Sequence, residues 1–81
     1  MFKIGKVLQF YTKTSIAIVE LDGGLALGDR IRFTREGETL FEQKVEVIQI
    51  GYQKLDSANR GDVIGLKTNE ESQKGDEIFK V

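Results

Sequence analysis

Three times in this chain a Gly-Asp pair stands just ahead of an isoleucine: Gly28-Asp29-Arg30-Ile31, Gly61-Asp62-Val63-Ile64 and Gly75-Asp76-Glu77-Ile78. Glycine reaches positive backbone φ without the steric penalty of a Cβ, and an aspartate carboxylate can accept a nearby main-chain N–H and hold the turn. The isoleucine then opens the buried face of a strand. Three such starts in 81 residues demand frequent, tight reversals, which suits a small all-β domain and leaves little room for helix. Gly28, Asp29, Gly61, Asp62, Gly75 and Asp76 are therefore read as structural turn residues. Metal ligation is disfavoured, because three carboxylates would have to converge from separate turns.

The segments between the turns alternate as strands do. Residues 4–11 form a first strand, with Ile4, Leu8 and Phe10 in one phase and Val7 and Tyr11 in the other. Residues 15–21 are almost continuously apolar apart from Glu20, the pattern of a strand buried on both faces. Residues 30–34 make a short strand ended by Arg35-Glu36-Gly37-Glu38. The longest run, 40–52, changes parity halfway: Val45 and Val47 share one face, Ile48 and Ile50 the other. Such a slip marks a bulge or a bend where a barrel strand crosses the core, or else burial on both faces. Residues 53–57 are a weak strand or an irregular connection, and strands at 63–67 and 77–81 follow, separated by a polar stretch in which 69–73 has room for one helical turn. The expected fold is one domain, residues 1–81, forming a small antiparallel β-barrel of six or seven strands.

Composition narrows the chemistry. Twelve basic and thirteen acidic residues leave a net charge of −1, whereas domains that live on nonspecific phosphate contacts are usually visibly basic. With no histidine and no cysteine, the common zinc, haem and iron–sulfur ligands and most nucleophile–base pairs are gone. No Walker loop is present, and Gly23-Gly24 lacks the spacing of a phosphate cradle. Glu36 with Glu38, and Glu70 with Glu71, read as solvated surface carboxylates. The expectation is a non-enzyme without cofactors, metal or nucleotide-binding domain. No apolar run approaches the roughly 20 residues that cross a bilayer, and residues 1–6 are too charged for a secretory signal. Without cysteine there is no disulfide framework, and the chain is expected to be cytoplasmic, with no membrane partner.

The order of these features resembles the second, β-barrel domain of translation GTPases such as elongation factor Tu. Gly5-Lys6-Val7, Leu27-Gly28-Asp29-Arg30-Ile31, Val45-Glu46-Val47-Ile48-Gln49-Ile50, Asn59-Arg60-Gly61-Asp62-Val63-Ile64-Gly65-Leu66 and Lys74-Gly75-Asp76-Glu77-Ile78 carry the resemblance. A closer similarity is to small translation elongation factor-like proteins and to the barrel at the C-terminus of collagenase-like peptidases. The first resemblance implies a barrel of the translation-protein type and a role in protein biosynthesis. It also implies a site for the acceptor end of tRNA near Gln49 and Tyr52, at positions where that family carries a glutamate and an arginine. Val63 stands where the family has an asparagine.

Two functional classes follow. One is an accessory RNA-binding module for tRNA, rRNA or a translation complex, with Gln49 reading polar groups, Tyr52 stacking a base, and Lys54 and Arg60 meeting phosphate. The other is a protein-interaction or substrate-positioning module comparable with the barrel of collagenase-like peptidases, which the near-neutral composition favours.

Overall fold

The computed structural model describes residues 2–81; Met1, the first residue of the expected domain, lies outside them. The chain is all-β among the described residues, with strands β1 (Phe2–Tyr11), β2 (Ile16–Leu21), β3 (Leu25–Ala26), β4 (Arg30–Arg35), β5 (Glu38–Lys44), β6 (Ile48–Ile50), β7 (Gln53–Leu55), β8 (Ser57–Ala58), β9 (Val63–Lys67) and β10 (Glu77–Lys80). The stretch 69–73 is irregular rather than helical. Eight strands form one antiparallel sheet in the order β5-β4-β10-β1-β2-β9-β6-β7, and β3 pairs with β8 separately.

The expected barrel of six or seven strands is corrected on two counts. Ten segments replace the six or seven because the long runs break. The chain leaves the sheet at 45–47, so the parity slip is a strand boundary: Val45 and Ile48 both face the core although their numbers differ in parity. The sheet also does not close, since β5 and β7 remain its two ends with no ladder between them. A side chain bridges the β5 edge instead. Gln43, buried in β5, donates from Nε2 to the Lys67 carbonyl at 2.9 Å and accepts the Asn69 N–H at 2.8 Å. An amide has both a donor and an acceptor, so one buried residue satisfies both edges where a strand pair would otherwise be needed.

The three Gly-Asp turns share one geometry. Gly28, Gly61 and Gly75 have φ of 92°, 91° and 94°, in the region that favours glycine. In each turn the aspartate Oδ2 accepts the N–H three residues back: Ala26 to Asp29 at 2.9 Å, Asn59 to Asp62 at 2.8 Å and Gln73 to Asp76 at 2.8 Å. Each glycine N–H donates to a distant carbonyl, of Val45, Leu21 and Val7 respectively, and those same residues donate back to the carbonyls of Asp29, Asp62 and Asp76. Val45, Leu21 and Val7 are all buried. The turn thus fastens a loop to a buried core residue and delivers Ile31, Ile64 and Ile78 into the interior, where they are essentially inaccessible.

The core gathers Ile4, Val7, Ala17, Val19, Leu21, Leu25, Ile31, Phe33, Phe41, Val45, Ile48, Ala58, Ile64, Leu66 and Ile78. Phe33 and Phe41 stack with ring centroids 4.4 Å apart, an arrangement that adds to their burial. β2 departs from the expectation of burial on both faces: Ala17, Val19 and Leu21 are buried, whereas Ile16 and Ile18 are only half-buried on the outer face. The outer face carries ion pairs, Lys3 with Glu77 at 3.0 Å, Lys80 with Asp29 at 3.1 Å, and Glu42 with both Arg30 and Arg32.

Glu42 gives a pH signature. The hydrogen bond from the Arg32 guanidinium, outweighing desolvation and aided by Arg30, holds its carboxyl below the usual glutamate range. A depressed folded value means stabilisation that is present above the unfolded pKa, about 4.3, and is lost as pH falls through the lower folded value. Glu42→Gln should therefore lower stability modestly near neutral pH, where the ionised carboxylate is paired, and leave it little changed at acid pH, which flattens the acid limb. Urea midpoints from pH 6 downward check this, and added salt should shrink the difference because the pair is at the surface.

Candidate functional site

Three of the four residues expected to contact RNA share one hairpin, and the fourth lies in another loop. Gln49 lies in β6 and Lys54 faces it across the ladder in β7, with Gly51 and Tyr52 turning the hairpin between them. Gln49 is half-buried because its side chain lies over Gly65 on β9: a Cβ added at Gly65 would meet Gln49 Cγ at 3.0 Å and Ile16 Cγ2 at 3.3 Å. The glycine in this strand therefore makes room for a side chain of the protein itself. Tyr52 is fully exposed, as is Lys54 in large part. Arg60 belongs to a different loop, the one fastened to Leu21 through Gly61. Among the described residues no side-chain hydrogen bond or ion pair joins Gln49, Tyr52, Lys54 and Arg60 to one another.

The Gly-Asp carboxylates differ in what they meet beyond their turns. Asp62 serves its turn alone, Asp29 adds Lys80, and Asp76 takes a two-point contact from Arg35, Nε to Oδ1 at 2.8 Å and Nη2 to Oδ2 at 3.0 Å. That contact raises the Arg35 pKa above its ordinary value through the hydrogen bond to Asp76, against the desolvation of the guanidinium. Each carboxylate thus holds its own turn, and Asp29 and Asp76 also meet a basic side chain. Among the described residues no group of three or more Asp or Glu is placed to hold a metal ion.

A concavity lies elsewhere, along the second half of β1. β10 pairs only with residues 2–6 of β1. At Val7 the loop before β10 is still fastened, by Val7 N–H to the Asp76 carbonyl and Gly75 N–H to the Val7 carbonyl, both 2.8 Å. Beyond that point the two chains part. Between them opens a hollow of about 550 Å³ lined by Leu8, Gln9, Phe10 and Thr12 on one side and Glu71, Ser72, Gln73 and Lys74 on the other. It falls within the roughly 300–1,000 Å³ range of ligand clefts. A second hollow, formed by residues 10–14, continues past Phe10. Leu8 and Phe10 are half-buried, and Ser72 is buried with its Oγ lacking a hydrogen-bond partner. These residues were not singled out from the sequence. The signal available was a length mismatch, because the first strand is visibly longer than the last one it pairs with.

The relatives of the chain point in one direction. No family model matches it. Over 77 residues, 95% of the chain, it is 32% identical to an uncharacterized protease of Methanocaldococcus jannaschii. Over 78 residues it is 27% identical to a collagenase of Porphyromonas gingivalis. The matched region is 19% of the first and 22% of the second, so the chain spans about one fifth of the length of the curated relatives it matches. In structure it is similar to the C-terminal domain of a Geobacillus thermoleovorans protein described as a U32 peptidase, with TM-score 0.89 and 24% identity, covering 99% of this chain and 92% of that domain. The selenomethionine variant of that domain gives TM-score 0.86 at 25% identity, covering 96% and 98%.

These relatives overturn the translation reading. An elongation-factor role in protein biosynthesis, RNA binding, and tRNA or rRNA as partners gain no support from proteases and collagenases matched along nearly the whole chain. The resemblance to elongation factor Tu rested on Gly-Asp turns and strand order, features that serve the backbone and carry no ligand chemistry. The similarity that stands is the one to collagenase-like proteins: the sequence relatives are a protease and collagenases, and the fold is that of a U32 peptidase C-terminal domain.

Proposed function

We propose that this domain is a non-catalytic accessory module of the collagenase-like peptidase type, positioning a protein substrate or partner for a catalytic body that it does not itself contain. The observation that carries this reading is the match of nearly the whole chain to about one fifth of the curated protease and collagenase relatives. The absence of histidine and cysteine from the sequence supports a role in binding over one in bond cleavage. The absence of cysteine also suits a cytoplasmic setting, which is part of the proposal.

A domain graft tests it. The matching segment of the Porphyromonas gingivalis collagenase is either deleted or replaced by this chain, and cleavage of soluble collagen is compared with cleavage of a short fluorogenic peptide. Deletion should lower kcat/KM for collagen about tenfold or more, a loss of about 1.4 kcal/mol of binding, with short-peptide turnover nearly unchanged. The graft should restore most of the loss. Equal loss on both substrates, or a graft no better than the deletion, would refute the accessory reading.

A further inference from the structure

We propose that the hollow beside residues 8–12 takes a single extended polypeptide segment, which pairs its main chain with the outer edge of β1 and seats alternate side chains over Leu8 and Phe10. This deepens the accessory-module reading and rests on it, by naming the surface and the class of partner.

Three independent features meet there. First, β1 runs from Phe2 to Tyr11, but β10 pairs only with its first half, and residues 9–11 pair with β2 alone. A strand edge without a neighbour offers main-chain donors and acceptors in a row, and the group that complements such a row is another extended main chain. Second, the edge borders a shallow, solvent-open concavity, with the 71–74 segment opposite it. Its floor is apolar, from Leu8 and Phe10, and its rim is polar, from Gln9, Thr12, Glu71, Gln73 and Lys74. That combination suits alternate side chains of a strand, one set inward and one outward. Third, the wall holds Ser72, buried with an unpartnered Oγ, an unusual state for a polar group in a folded protein.

The recess selects the occupant. A second folded copy would have to bring its own sheet edge alongside β1 past the 71–74 segment opposite, whereas one strand of a flexible chain needs only the free edge and the shallow hollow beside it. The rim carries both Glu71 and Lys74, so neither sign of charge on the segment is strongly excluded. An unfolded stretch of substrate protein meets these requirements.

Isotope-labelled protein titrated with a capped, alternating Thr-Val decapeptide provides the test. A second titration uses the same peptide N-methylated at alternate residues, which deletes the N–H groups of one edge. The unmodified peptide should shift the amide signals of residues 8–12 and 71–75 and slow hydrogen exchange along 9–11. N-methylation should weaken binding about tenfold or more, the loss of one or two net hydrogen bonds. Leu8→Glu should weaken it by a similar factor while its spectrum stays that of a folded protein. Equal binding of the methylated peptide, shifts confined to β5 or β7, or no binding at millimolar peptide would overturn the proposal. So would concentration-dependent shifts of residues 8–12 without peptide, which would assign the edge to self-association. A working graft with no binding at β1 would remove only this site, and binding at β1 with a failed graft would remove only the peptidase role.

Discussion

Ile64→Ala is expected to lower the stability of this domain by about 2–5 kcal/mol, the range for truncating a packed aliphatic side chain. Ile64 is 1% exposed, among the largest fully buried side chains, and stands on β9 next to buried Leu66 and opposite buried Val19. At about 0.05–0.15 kcal/mol per residue, a domain of this length has a total stability of roughly 4–12 kcal/mol. The substitution therefore removes a large share of the whole. A 3 kcal/mol loss corresponds to about 12–24 °C in melting temperature at this size. Val63→Ala, one residue away but 45% exposed, should change stability by about 0.5 kcal/mol or less. Thermal melts of the two variants side by side check the placement, and coinciding midpoints would remove Ile64 from the core.

The second large effect concerns Asp76. All three Gly-Asp turns hold the same main-chain hydrogen bond, so Asp62→Ala measures the turn by itself: about 0.5–1.5 kcal/mol, a typical net hydrogen bond. Asp76 is 1% exposed and also receives both Arg35 contacts. Asp76→Ala should cost about 2–4 kcal/mol, since it strips the Gln73 N–H of its acceptor and leaves the guanidinium without its partner in a partly desolvated place. Arg35→Ala and the double variant complete a cycle whose coupling isolates the pair from the turn. Arg35 reaches solvent on one side, so much of the difference should fade at high salt. If Asp76→Ala and Asp62→Ala unfold at the same denaturant concentration, Arg35 contributes nothing beyond the shared turn.

Local chemistry was legible because it is written in neighbouring residues. A glycine at φ near 90° followed by an aspartate that reaches back three residues needs only the tetrapeptide, so turn positions and the three buried isoleucines follow from sequence. The same holds for the parity change between Val45 and Ile48, although its outcome, a strand break, depended on where β9 lay to receive β6.

What only the tertiary structure decided was which edges meet. Whether a sheet of this size closes turns on whether its end strands β5 and β7 meet, and they do not; Gln43 on β5, a residue with no special mark in the sequence, reaches Lys67 and Asn69 at the end of β9 instead. The placement of the four expected RNA contacts depends on the same packing: Gln49, Tyr52 and Lys54 share the β6–β7 hairpin, with Gln49 held over Gly65, and Arg60 lies on a separate loop fastened to Leu21. The hollow on β1 arises from a mismatch between two strands distant in the chain, joined at Val7 and parted beyond it. Periodicity and turn chemistry act within a few residues and so determined the strands and their buried faces. The register of distant strands depends on packing across the whole core, and it alone decided where the surface stays open for a partner.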